Sequence, residues 1–89
     1  MENVRIIEAE YISDFKINLE FSDGYQNVVD FKNELWGEVF EPLNDVSYFR
    51  NFKTNPFTIY WDNGADFSPE YLYELAKKNE FSVADKKFK

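Results

Sequence analysis

Phe15, Ile17, Leu19 and Phe21 alternate with Lys16, Asn18 and Glu20. A period of two sends successive side chains to opposite faces of a pleated backbone, so this run predicts a strand with one apolar and one wet face. Before it, residues 4–12 carry β-branched and aromatic side chains with weaker alternation, and Ser13-Asp14 separates the two runs at hairpin spacing. After it comes Ser22-Asp23-Gly24, where glycine supplies a positive φ and aspartate bonds its own backbone. Residues 25–31 then return as a third strand, with Val29 and Phe31 facing inward. The expectation is an antiparallel three-stranded meander whose most regular run, residues 15–21, lies at the centre.

From residue 32 to 42 the pattern changes. Leu35, Trp36, Val39 and Phe40 fall at near-helical offsets, but Gly37 interrupts them and Pro42 limits continuation, which predicts a short helical turn in a packed loop. Asp45 suits the N-cap of a short central helix over 46–52, where Val46, Phe49 and Phe52 recur every three residues. Residues 57–61 read as a further strand, entered through Pro56. Asn63-Gly64 then predicts a type I′ turn into a brief return arm, Ala65-Asp66-Phe67, and hence a small second hairpin. Ser68-Pro69-Glu70 starts a C-terminal helix: serine accepts an orphan N–H, proline is pre-set for the first helical position, and glutamate meets the positive end of the dipole. Its apolar face is Leu72, Leu75, Ala76 and Asn79, with Tyr71 at the margin, and the helix is expected to reach about residue 78. Residues 81–89 read as a polar, lysine-rich tail in which Phe81, Val83 and Phe88 stand isolated. Strands, a helical middle, a hairpin and a closing helix make one α+β domain over residues 1–80, with the last helix packed on the sheet.

Composition narrows the chemistry. Eighty-nine residues with 44% hydrophobic and 20% aromatic side chains support one core and no second domain. Cysteine and histidine are both absent, which removes disulfides, thiolate chemistry, cysteine-bound zinc, the imidazole ligand and the neutral-pH general base. No cofactor is implied. The N-terminus lacks a basic leader and an apolar export run, and no stretch is long enough to span a bilayer, so a cytoplasmic protein with no membrane partner is expected.

The net charge of −7 is unevenly spread: residues 1–76 hold fifteen acidic and five basic side chains, residues 77–89 two acidic and five basic. An acidic body repels phosphate backbones. The footprint left for a nucleic acid is Lys77, Lys78, Lys86, Lys87 and Lys89, whose plainer reading is a helix C-terminus favoured by the dipole, followed by a solvated tail.

A linked set of residues resembles a known family. Phe21-Ser22-Asp23-Gly24, Val39-Phe40-Glu41-Pro42-Leu43, Tyr48-Phe49, Trp61-Asp62-Asn63-Gly64-Ala65-Asp66, Pro69-Glu70 and Leu72-Tyr73 occur in an order and spacing similar to the bacterial domain-of-unknown-function family 2442, over roughly residues 4–75. The resemblance implies antiparallel strands with two helices, similar to the N-terminal domain of a two-domain member whose second half looks like a helix-turn-helix module; this chain ends before such a module fits. It also implies short bacterial proteins, some encoded in arrangements similar to toxin–antitoxin pairs, and it implies no activity. Asp62 stands where proline commonly follows the tryptophan.

Three carboxylates come closest to a chemical constellation. Asp62 and Asp66 flank the second turn and Glu70 opens the last helix, a pattern open to a paired-carboxylate acid/base site or an oxygen-liganded divalent cation, while turn, backbone and helix-dipole roles account for each residue separately and are favoured. No catalytic, cofactor or metal residue is assigned from them. Trp61, beside a turn, is open to a recognition surface, but its place in an apolar strand favours a core anchor, while Trp36, beside Gly37 in a loop, fits core or surface alike. Gly24, Gly37 and Gly64 are too scattered to cradle a phosphate. The balance favours a small non-enzymatic interaction or regulatory module with a basic protein partner. The alternatives are a carboxylate-based or metal-assisted enzyme, weak nucleic-acid association through the C-terminal lysines, and self-association through an edge strand.

Overall fold

The computed structural model describes the backbone of residues 4–87 and the side chains of residues 4–78. Strands β1 (Ile6–Ser13), β2 (Lys16–Phe21) and β3 (Gln26–Asp30) form an antiparallel sheet in the order β1-β2-β3. As the alternation of β2 predicts, that strand is central: Ile17, Leu19 and Phe21 are fully buried on one face. Val29 and Phe31 join them from the β3 side. The first turn lies one residue later than expected, because β1 runs through Ser13 and Asp14 takes φ 47°. Aspartate tolerates that left-handed conformation at a lower cost than most residues.

β1 is irregular. Its register against β2 slips between Ile6 and Glu8 and again between Tyr11 and Ser13, so Ile7 and Ile12 are each the extra residue of a bulge and both are exposed. Two bulges bend this edge away from a flat template that another strand would extend.

Between the sheet and the last helix the backbone is compact but only partly regular. A 3₁₀ helix, Glu38–Asn44, carries Pro42 inside it rather than ending there, since the short i→i+3 turns still close around a missing N–H. Asp45 caps α1 as expected, its side chain accepting from the Ser47 N–H, but α1 spans only Val46–Phe49 and stops short of Phe52. Four residues make one turn, which tertiary packing must hold; Phe49 does so, fully buried against Phe15, Phe31 and Trp61.

The second hairpin is present with a different pairing. β5 (Ile59–Tyr60) pairs antiparallel with β4 (Lys53–Thr54), across residues 55–58, whereas the anticipated return arm makes a single bridge, Tyr60 to Asp66. The turn after Trp61 is also not type I′, which would need a positive φ at Asn63; among the described residues Asp14 alone of the non-glycines has one. The Gly64 N–H donates to the Trp61 carbonyl at 3.0 Å and the Trp61 N–H to the Ala65 carbonyl at 2.9 Å, closing a three-residue loop with Gly64 at φ 93°. Phe21-Ser22-Asp23-Gly24-Tyr25 is closed in the same way at 2.9 and 2.8 Å, also with φ 93° at its glycine.

α2 (Pro69–Lys87) starts where the sequence signals it, the Ser68 hydroxyl accepting from the Tyr71 N–H at 3.1 Å. Leu72, Leu75 and Ala76 are buried and the helix packs against β3. Its backbone runs past residue 78 because the following segment contains neither glycine nor proline to stop it. Asn79, Phe81, Val83 and the lysines Lys86, Lys87 and Lys89 have side chains outside those described. Two side chains of the sheet region grip the helix midway: Tyr25 Oη and Asn27 Nδ2 both donate to the Ala76 carbonyl, at 3.1 and 2.9 Å.

Candidate functional site

Trp61 belongs to the core. It is 1% exposed, and its indole N–H donates to the Phe49 carbonyl at 2.8 Å. Trp36 is the opposite: 76% of it is exposed, the most of any large hydrophobic residue described. An exposed indole on a mobile loop is unremarkable. This one stands on a backbone held at several points. Leu35, next to it, is buried, and its carbonyl accepts from Asn44 Nδ2 at 3.0 Å. Gly37, on the other side, has φ 97° and ψ 158°, a conformation essentially reserved to glycine. The Phe40 N–H closes onto the Gly37 carbonyl at 3.1 Å, and Asn63 Nδ2 reaches across 24 residues of sequence to the Val39 carbonyl at 2.8 Å.

Beside Trp36 opens a groove of about 450 Å³ lined by Glu34, Trp36, Phe40, Asp66, Phe67, Ser68 and Tyr71. Its volume is in the range of about 300–1,000 Å³ usual for ligand pockets. The aromatic lining continues the core outward. Phe67 packs on Trp61 and Phe31 beneath, stacks on Phe40 at 4.9 Å between centroids, and lies almost parallel to Tyr71 at 6.0 Å. The Tyr71 hydroxyl donates a short hydrogen bond to Glu34 Oε1. That bond, with burial and the neighbouring carboxylates, holds the Tyr71 hydroxyl protonated above the usual phenol range. It also fixes the Glu34 side chain at the groove while leaving the carboxylate with further lone pairs to offer.

The three carboxylates singled out by sequence have separate surroundings. Asp62 is exposed and pairs with Lys53 at 3.3 Å, Asp66 lines the groove, and Glu70 is exposed in the first turn of α2. Among the described residues no group of three or more acidic side chains is arranged to hold a metal ion. Of the lysines, Lys77 lies over the Tyr25 ring at 4.1 Å and nearer the sheet than a solvated tail residue would. A second cleft, of about 360 Å³, is lined by Asp14, Phe15, Lys16, Asp30 and Lys32 and so presents both charge signs, selecting neither. No described helix is long and apolar enough to cross a membrane.

Glu34, Asn44 and the second role of Asn63 escape sequence reasoning, because each acts through contacts with residues distant along the chain. Trp36 beside Gly37 and the carboxylate Asp66 are the residues of the groove that the sequence singles out. The comparisons with curated proteins and with solved structures give no match. The family model described as "Protein of unknown function (DUF2442)" matches residues 6–78, which covers the sheet, the Trp36 loop, both glycine turns and the groove, and the chain therefore belongs to that family.

Proposed function

We infer that the protein is a cytoplasmic, non-enzymatic interaction module that holds a segment of a basic protein partner in the groove beside Trp36. The observation that carries this reading is an indole three-quarters exposed on a backbone tied down on both sides. A rigid aromatic contact that needs no reordering loses little entropy on binding, which is why tryptophan dominates the energetic centres of interfaces. The net charge of −7, with Glu34 and Asp66 at the groove, favours a basic partner and speeds its encounter. The lack of histidine and cysteine in the sequence and the pairing of Asp62 with Lys53 favour a binding role for the groove over a catalytic one.

The test starts from affinity capture in the native cell with wild-type protein and with Trp36→Ala, followed by reconstitution of the captured protein with purified components. Trp36 is exposed, so its truncation leaves thermal stability nearly unchanged. A stoichiometric partner that binds the purified wild-type protein and loses about ten-fold or more in affinity for Trp36→Ala supports the reading. A partner that binds both forms equally, or none that survives purification, contradicts it.

A further inference from the structure

We propose that the group received by the groove is an arginine side chain of the partner, stacked on the aromatic lining and bonded by Glu34 and Asp66. This rests on the reading of the groove as a contact surface and names what the surface selects. Among its lining residues are four aromatic rings, one serine, two carboxylates and no cationic side chain. An apolar ligand would desolvate two carboxylates with only the Tyr71 hydroxyl on Glu34 to offset it, and an anion would meet two like charges. A cation satisfies both, and the rings add the attraction of their negative faces.

Arginine fits better than lysine for two reasons. Its guanidinium is flat and weakly hydrated, so it suits the aromatic surface the groove leaves open, the Trp36 and Tyr71 rings, which stay exposed while Phe67 is buried. It also carries five donors in a fixed fork, enough to bond two carboxylates at once. Glu34 is prepared for that contact, because the hydrogen bond from Tyr71 fixes the carboxylate before any ligand arrives. Trp36, exposed in the same lining, offers apolar surface to the aliphatic stem.

The probes are N-acetylated, C-amidated glycine peptides carrying arginine, lysine or citrulline, the last an uncharged guanidinium isostere, titrated against the full chain. Trp36 emission is the readout, with Trp36→Phe identifying its share against buried Trp61. The expected result is a saturable change with the arginine peptide, several-fold weaker binding of lysine, and about ten-fold weaker binding of citrulline. Glu34→Gln, which keeps an acceptor for the Tyr71 hydroxyl, and Asp66→Asn should each weaken arginine binding by a comparable factor with circular dichroism and melting unchanged. Equal binding of citrulline and arginine overturns the cation assignment, equal binding of lysine overturns the guanidinium preference, and no binding of the arginine peptide overturns both. None of these outcomes decides whether the groove docks a protein, which the Trp36→Ala comparison with the captured partner settles separately.

Discussion

Asn63 uses both ends of its amide: Oδ1 accepts from the Ala65 N–H at 3.1 Å within its own turn, and Nδ2 donates to the Val39 carbonyl in the Trp36 loop. Asn63→Asp keeps the first bond and loses the second. It should cost about 0.5–1.5 kcal/mol in denaturant unfolding and speed amide exchange at residues 37–40, leaving the turn itself intact. Asp23, in the matching turn, has a different second partner, the Tyr73 hydroxyl, which donates to Oδ2 at 2.7 Å. That bond, followed by the Tyr25 N–H, holds the Asp23 carboxyl below the usual carboxylate range. A carboxyl depressed in the folded state adds stability above its unfolded pKa and loses it as pH falls through the folded one. Melting temperatures of the wild type should therefore decline more steeply than those of Tyr73→Phe as pH drops through the acid range, and parallel acid limbs would show that the bond contributes nothing.

At the scale of elements, the sheet was the most legible part of the chain. β2 declares its buried face in its own alternation, and the capping residues Asp45 and Ser68 make the bonds that their types and positions predict. The second hairpin is present as expected, but its partner strand β4, Lys53–Thr54, is two exposed residues too short to announce themselves; Asn55 closes the turn, its N–H donating to the Thr58 carbonyl and its Oδ1 accepting from the Phe57 and Thr58 N–H groups. The Trp36 loop was half legible, since Gly37 marks a break but nothing local tells that Asn44 and Asn63 will hold the flanking carbonyls. The open face of the sheet adds a like-charge pair, Glu8 directly opposite Glu20. Glu20→Lys should raise stability by about 0.2–1 kcal/mol at low salt, with the gain shrinking as salt is added. A loss of stability would mean that the register pairs these positions differently.

For the molecule as a whole, the described apolar side chains close one core that reaches the groove through an aromatic run: Trp61 and Phe31 pack on Phe67, which stacks on Phe40 and lies parallel to Tyr71. The core thereby stiffens the groove, and two polar tethers stiffen the loop that presents Trp36. Two other surfaces compete for a basic partner, the acidic sheet face around Glu8, Glu10 and Glu20 and the exposed Asp62 turn. The two tryptophans separate these possibilities, one indole N–H being buried in a bond to Phe49 and the other exposed. Amide and indole chemical-shift mapping of the labelled protein during titration with its purified partner is the decisive measurement. Shifts concentrated at Glu34, the Trp36 indole, Phe40, Asp66 and Tyr71, with the Trp61 indole unmoved, are predicted; shifts confined to Glu8, Glu10, Glu20 or Asp62 while the Trp36 indole stays in place would contradict the groove as the binding surface.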